Sequence, residues 1–173
     1  MDKYSAEDMK VLASITSKDL TLTNTLSEYF KKNNIHKDIL SQSCTLERLV
    51  EIFDKMISKH LDNHATEINC LEVASILGTI INAYDLSKLT DKELDLVINA
   101  LSFGVKNGLV KEDKPDYSIV SFLHPIIKDL LYKKLENKQK HHLRYNILLK
   151  QKYPTRHLII AENLYRGHIA LIK

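Results

Sequence analysis

Histidine, cysteine, serine and carboxylate side chains do chemistry only at particular spacings, and most of those here do not have them. His60 and His64 are four residues apart in HLDNH, which puts two imidazoles on one helical face. The sequence lacks the glutamate base of HExxH, and Asp62-Asn63 is a helix-breaking pair, so the reading is a surface pair and not a metal site. His141 and His142 are adjacent and point apart on a helix. Cys44 and Cys70 have no CxxC partner and read as two reduced thiols. No GxxxxGK[ST] or Gly-rich loop offers a phosphate cradle, and no serine sits in a nucleophile elbow. No local pair of acids suggests a two-carboxylate site, although distant acids can converge in a fold. The expectation is a non-enzymatic chain with no catalytic residue, no metal site and no cofactor of its own.

Two features remain. One is charge. Residues 1–127 hold 14 Lys/Arg against 19 Asp/Glu, whereas residues 128–156 hold 9 against 2, a local net of +7 in a chain of net +3. Lys128, Lys133, Lys134, Lys138, Lys140 and Arg144 form the expected basic surface. Such a block can meet phosphate, an acidic partner or an anionic membrane surface, or it can be the solvated face of a helix. The other feature is His124, directly before Pro125. An imidazole at a helix start can donate to an anion that the helix dipole favours. It can equally satisfy backbone groups at the junction.

These residues are carried by a mainly helical chain, since strong helix formers dominate and β-branched clusters are short. Helices are predicted over 5–16, with Ser5 and Asp8 as a capping-box-like start, and over 20–32, stopped by Asn33-Asn34. Residues 45–61 carry Leu46, Leu49, Val50, Phe53, Ile57 and Leu61 at amphipathic spacing. The segment 65–77 is apolar on most of its girth and predicts a helix central to a core, closed by Gly78. A short turn is predicted at Asp85–Leu89. A helix over 91–106 follows, capped by Thr90 with Glu93 three residues on, and buries Leu94, Val97, Ile98 and Leu101. Leu109–Glu112 and Tyr117–Phe122 predict a hairpin around Asp113–Asp116. Pro125 begins a helix to about Leu135, a basic helix lies near 141–152, and a last helix follows Pro154 over 156–172.

A chain of 173 residues, 44% hydrophobic and 27% charged, can fold as one domain or two small ones, which excludes a disordered class. No apolar run approaches the roughly 20 residues that span a bilayer, and MDKYSAEDMK is not a signal peptide. A cytoplasmic protein is expected. Three helices and a hairpin over 66–122 have the order of a winged helix, with 91–106 as its third helix. That helix carries Asp91, Glu93 and Asp95 against Lys92 and Lys106, and the hairpin turn is acidic too. Both surfaces would repel phosphate, which disfavours nucleic acid as a partner of this motif. The expected architecture is a helical lead-in over 1–64, a winged-helix domain over 65–136, and over 137–173 a basic helix with the first unit of a tetratricopeptide-like array.

Four elements, VASILG (73–78), NGLV (107–110), FLHPIIKDLLY (122–132) and HHLRY (141–145), occur in that order within residues 46–145. This stretch resembles the region after the ATPase core in signal-transducing NTPases of the STAND type, as in soluble (type 10) adenylyl cyclase-like proteins. The resemblance implies a winged helix followed by helical repeats. His124 would then match the histidine that senses the β-phosphate of bound ADP. ATP or ADP with Mg²⁺ would belong to the parent protein and not to this chain, because the phosphate-binding loop, the Mg²⁺-binding acid and any cyclase domain are absent from it. The chain is therefore expected to be a fragment, a truncated isoform or a degenerate copy.

The function expected from this resemblance is a non-catalytic regulatory relay in cAMP-type or related signalling. It would couple the state of an upstream nucleotide-binding domain, or another protein partner, to the repeats. Two alternatives stand beside it. One is nucleic-acid binding through the basic 128–156 segment. The other is a small protein-interaction module that self-associates through the apolar residues of 156–172.

Overall fold

The computed structural model describes Lys10, Ala13, Thr23, Asn24, Leu26, Ser27 and residues 46–59 and 63–169. Within the predicted helices 5–16 and 20–32, those six residues are helical, and Thr23, Leu26 and Ser27 are buried. The remainder of those two helices, the Asn33-Asn34 stop, Cys44, His60 and the end of the last helix from residue 170 lie outside the described residues. The chain divides into two compact units, Met1–Met56 and Ile57–Lys173.

Helix α1 (Leu46–Ser58) lies within the predicted helix 45–61 and buries Phe53 and Ile57 of the predicted stripe together with Ile52 and Met56; Val50 is half-buried, and Leu61 and the side chains of Leu46 and Leu49 lie outside the described residues. In the second unit, α2 (Ala65–Ala74) is followed by β1 (Ile80–Asn82), α3 (Ala83–Thr90), α4 (Leu94–Lys106), β2 (Val110–Glu112) and β3 (Ile119–Phe122). Then come α5 (Pro125–Lys134), α6 (Lys138–Lys152) and α7 (His157–Ile169). The strands form an antiparallel sheet in the order β1-β3-β2. Ile81 lies opposite Val120, and Val110 opposite Phe122. The described part of the protein is thus mainly helical with one small sheet, and none of its helices is long and apolar enough to cross a membrane.

As expected, α2 is central. Ile68, Leu71, Val73 and Ala74 are buried, and the helix packs against α3, α4 and α5. The hairpin and the start at Pro125 also lie where the sequence puts them.

Three expectations are corrected. The turn at Asp85–Leu89 is helix α3, started by Asn82, whose side-chain oxygen accepts from the backbone N–H of Tyr84 (2.9 Å) and Asp85 (3.2 Å). Thr90 does not cap the next helix. It ends α3 and donates its hydroxyl to the Leu86 carbonyl at 2.8 Å, while Asp91 turns the chain at φ 60° and Glu93 takes the N-cap of α4. The inward face of α4 is Val97, Ala100, Leu101 and Gly104; Leu94 is 44% exposed and Ile98 half-buried. Gly104 explains the rotation of that face. A Cβ there would lie 2.9 Å from Val110 Cγ2 and 3.2 Å from a Leu71 methyl, so only glycine lets α4 approach both α2 and β2 this closely.

Candidate functional site

The helix that begins at the His-Pro junction carries His124 at one end and Tyr132 near the other. β3 leaves the sheet at Phe122, Leu123 is tied by its N–H to the Leu109 carbonyl (3.1 Å), and His124 is extended. His124 is the N-cap of α5: its Nδ1 accepts from the Ile126 N–H at 3.2 Å, and Pro125 occupies the first helical position, where no N–H is needed. An accepting Nδ1 puts the proton of the neutral ring on Nε2. His124 thus serves the junction's own backbone.

The far end of α5 is held differently. Tyr132 Oη lies 2.9 Å from His142 Nε2 on α6, and His142 Nδ1 lies 2.5 Å from Asn163 Oδ1 on α7. The Asn163 amide N–H₂ donates to the His142 carbonyl and to Asn146 Oδ1, both at 3.1 Å. Because Asn163 Nδ2 is the donor, Oδ1 accepts from His142 Nδ1–H. His142 Nε2 then accepts from the Tyr132 hydroxyl. His142 and Asn163 are buried, and Gly167 brings α7 against the imidazole, since a Cβ there would sit 2.9 Å from His142 Cβ. Three consecutive helices are therefore joined by one polar chain.

Burial holds the His142 ring below the ordinary histidine range, although the Asn163 bond pulls the other way. His141 is also lowered, by burial first and then by Arg144 and Lys140. Both groups bind protons more readily when unfolded. Their contribution to stability is present above the unfolded value of about 6.5 and is lost as pH falls through it toward the folded values. The urea midpoint is therefore expected to drop between about pH 7.5 and about pH 5.5, and to drop less in His142→Asn. An unchanged slope in that variant would remove His142 as a source.

The predicted basic residues do not act alike. Lys138 Nζ donates to the carbonyls of Leu135 (2.5 Å) and Lys133 (3.1 Å) and stands 5.5 Å from the Tyr132 ring, so it serves the C-terminal end of α5. Lys128 lies 3.7 Å from Asp129, and Arg144 3.5 Å from Asp91 at the end of α3. Lys152, also in the basic segment, is bound through both oxygens of Asp85 (2.9 and 2.8 Å). Lys133 and Lys140 are exposed, and Lys134 is half-buried.

His64 lies just ahead of α2, stacks on Phe103 at 4.5 Å between ring centres, and pairs with Glu67 at 3.7 Å. Cys70 is buried, which pushes its thiol up to about 11 and keeps it protonated. Among the described residues no cluster of three His, Cys, Asp or Glu side chains gathers.

The polar chain was missed in the sequence reading, although it left a mark. Asn163 interrupts the apolar face of HLIIAENLYRGHI, and Asn146 follows His142 by one helical turn. A polar residue on the buried stripe of a helix points to a buried partner. No family model, curated protein or solved structure matches the chain.

Proposed function

We propose that the chain is a non-catalytic relay module of a STAND-type NTPase or soluble adenylyl cyclase-like protein. In this reading α2 to β3 form a winged helix, and α6 with α7 begin a helical array. The helix–strand–helix–helix–hairpin order and the pairing of β1 with β3 support the winged helix. One observation carries the relay: α5 is a single helix of ten residues with His124 capping one end and Tyr132 bonded to His142 at the other. A nucleotide phosphate meeting His124 would bias the position of a rigid rod whose far end is bonded to α6 and, through it, α7.

The test is the native transcript read upstream of the Met1 codon. An in-frame GxxxxGK[ST] is the expected result. In the protein that carries it, His124→Ala is expected to speed ADP release about tenfold, the worth of one charge-assisted hydrogen bond. A transcript that opens at Met1 overturns the relay reading.

The interaction-module reading keeps an observation of its own. Leu143 and Ile147 on α6 and Leu158, Ile159, Leu164 and Tyr165 on α7 are exposed, Leu158 at 87%. Apolar surface of this kind commonly meets another protein. Nucleic-acid binding by the basic segment is the weaker alternative, because Arg144 and Lys152 already face Asp91 and Asp85.

A further inference from the structure

We propose that the groove between α3 and the C-terminal half of α6 binds a small planar aromatic molecule carrying one negative group. The groove has a volume of about 460 Å³, within the range of about 300–1,000 Å³ typical of small-molecule sites. It includes none of His124, Tyr132, His142 and Asn163, the residues on which the relay reading rests, so it stands or falls separately.

Its lining sets the chemistry. Tyr84, Tyr145 and Tyr153 supply three phenol rings, and Leu148 and Leu149 supply aliphatic surface. Tyr84 stands 60% exposed at the start of α3, an aromatic face without a full set of neighbours. Aromatic rings favour offset or edge-on contact with other rings, and phenol hydroxyls can orient a polar substituent.

Charge selects the sign. Asp85 is the single acid of the lining, and Lys152 holds both of its oxygens. Lys88 is left as the net positive charge, its ammonium 5.3 Å from the centre of the Tyr84 ring. At the edge, Arg156 stacks on Tyr153 at 4.6 Å. A cationic ligand would meet Lys88 and Arg156 on the Tyr84 and Tyr153 rings they already cover. An anionic group beside a planar ring would meet Lys88 while the ring lies among the tyrosines.

The test titrates the full chain with phenyl phosphate, phenol and inorganic phosphate, following the backbone amides of Lys88, Gln151 and Tyr153 by NMR. Phenyl phosphate is expected to shift all three in a saturable way and to bind at least about fivefold tighter than either half alone. Lys88→Gln, at an exposed position, should weaken it about fivefold. Asp85→Asn should tighten it about threefold by releasing Lys152. Phenol binding as well as phenyl phosphate, or phosphate binding as well, would reduce the site to a greasy or a basic surface and overturn the proposal. No response to Asp85→Asn and Lys88→Gln would do the same. A capped phosphotyrosine peptide in parallel identifies the source: equal affinity points to a free small molecule, and tighter peptide binding to a partner's side chain.

Discussion

Asn163→Leu is expected to destabilise the protein by about 2–5 kcal/mol, although the substitution adds apolar volume to a buried site. Asn163 answers three polar groups on two residues of α6 at once. Its carbonyl takes the His142 Nδ1 proton, and its amide donates to the His142 carbonyl and to Asn146. Leucine would leave the His142 N–H and the Asn146 oxygen buried without partners, each costing about 1–3 kcal/mol. Asn146 Nδ2 already lacks a protein partner, so the loss cannot be absorbed there by a simple flip of the amide. Asn163→Asp separates this account from a loss of packing. A carboxylate at the same place would favour the imidazolium, raise the His142 pKa and reverse the pH slope that His142 imposes on stability. Urea unfolding at two pH values reads both effects. A loss below about 0.5 kcal/mol in Asn163→Leu would mean that water already serves these groups.

The elements legible in the sequence are those with a local signature. The stripe Phe53, Ile57 repeats within α1, Pro125 marks a helix start by its own geometry, and Asn107-Gly108 punctuates α4 before the hairpin. β1 has no such signature. It is three residues long, and its pairing with β3 is made far along the chain, Ile80 opposite Ser121. A strand this short is defined by its partner. α3 was missed because Asp85 and Ser87 suit a turn, yet Leu86 and Leu89 are fully buried at helical spacing and were the available clue. The orientation of α4 was misjudged for a tertiary reason, the close approach at Gly104. Of the candidate sites, the capping role of His124 could be read from His-Pro. The charge block was legible as composition only, because the acids that meet Lys152 and Arg144 lie on or beside α3, far away in sequence. The groove was hidden by the same miss, since one of its walls is the helix read as a turn.

Leu71→Ala is expected to cost about 3–5 kcal/mol and to lower the urea midpoint by about 1–2 M. Leu71 is fully buried on the helix that packs against α3, α4 and α5, so no neighbour can collapse onto the gap without moving a helix. Its two methyls lie 3.2 and 3.3 Å from where a Cβ on residue 104 would stand. Gly104→Ala alone should also destabilise, by about 1–2 kcal/mol. The new methyl would press against Leu71 and Val110, and the gain of about 1 kcal/mol in helix propensity only partly offsets that. The double variant separates packing from propensity. In the Leu71→Ala background the new methyl enters the vacated space, so the combined loss should fall short of the sum by about 0.5–2 kcal/mol. Strict additivity would show that the clash at residue 104 lies wholly with Val110, whose Cγ2 would be 2.9 Å away. Val110→Ala would then be the variant that relieves it. Either result identifies which neighbour of α4, α2 or β2, requires glycine at this crossing.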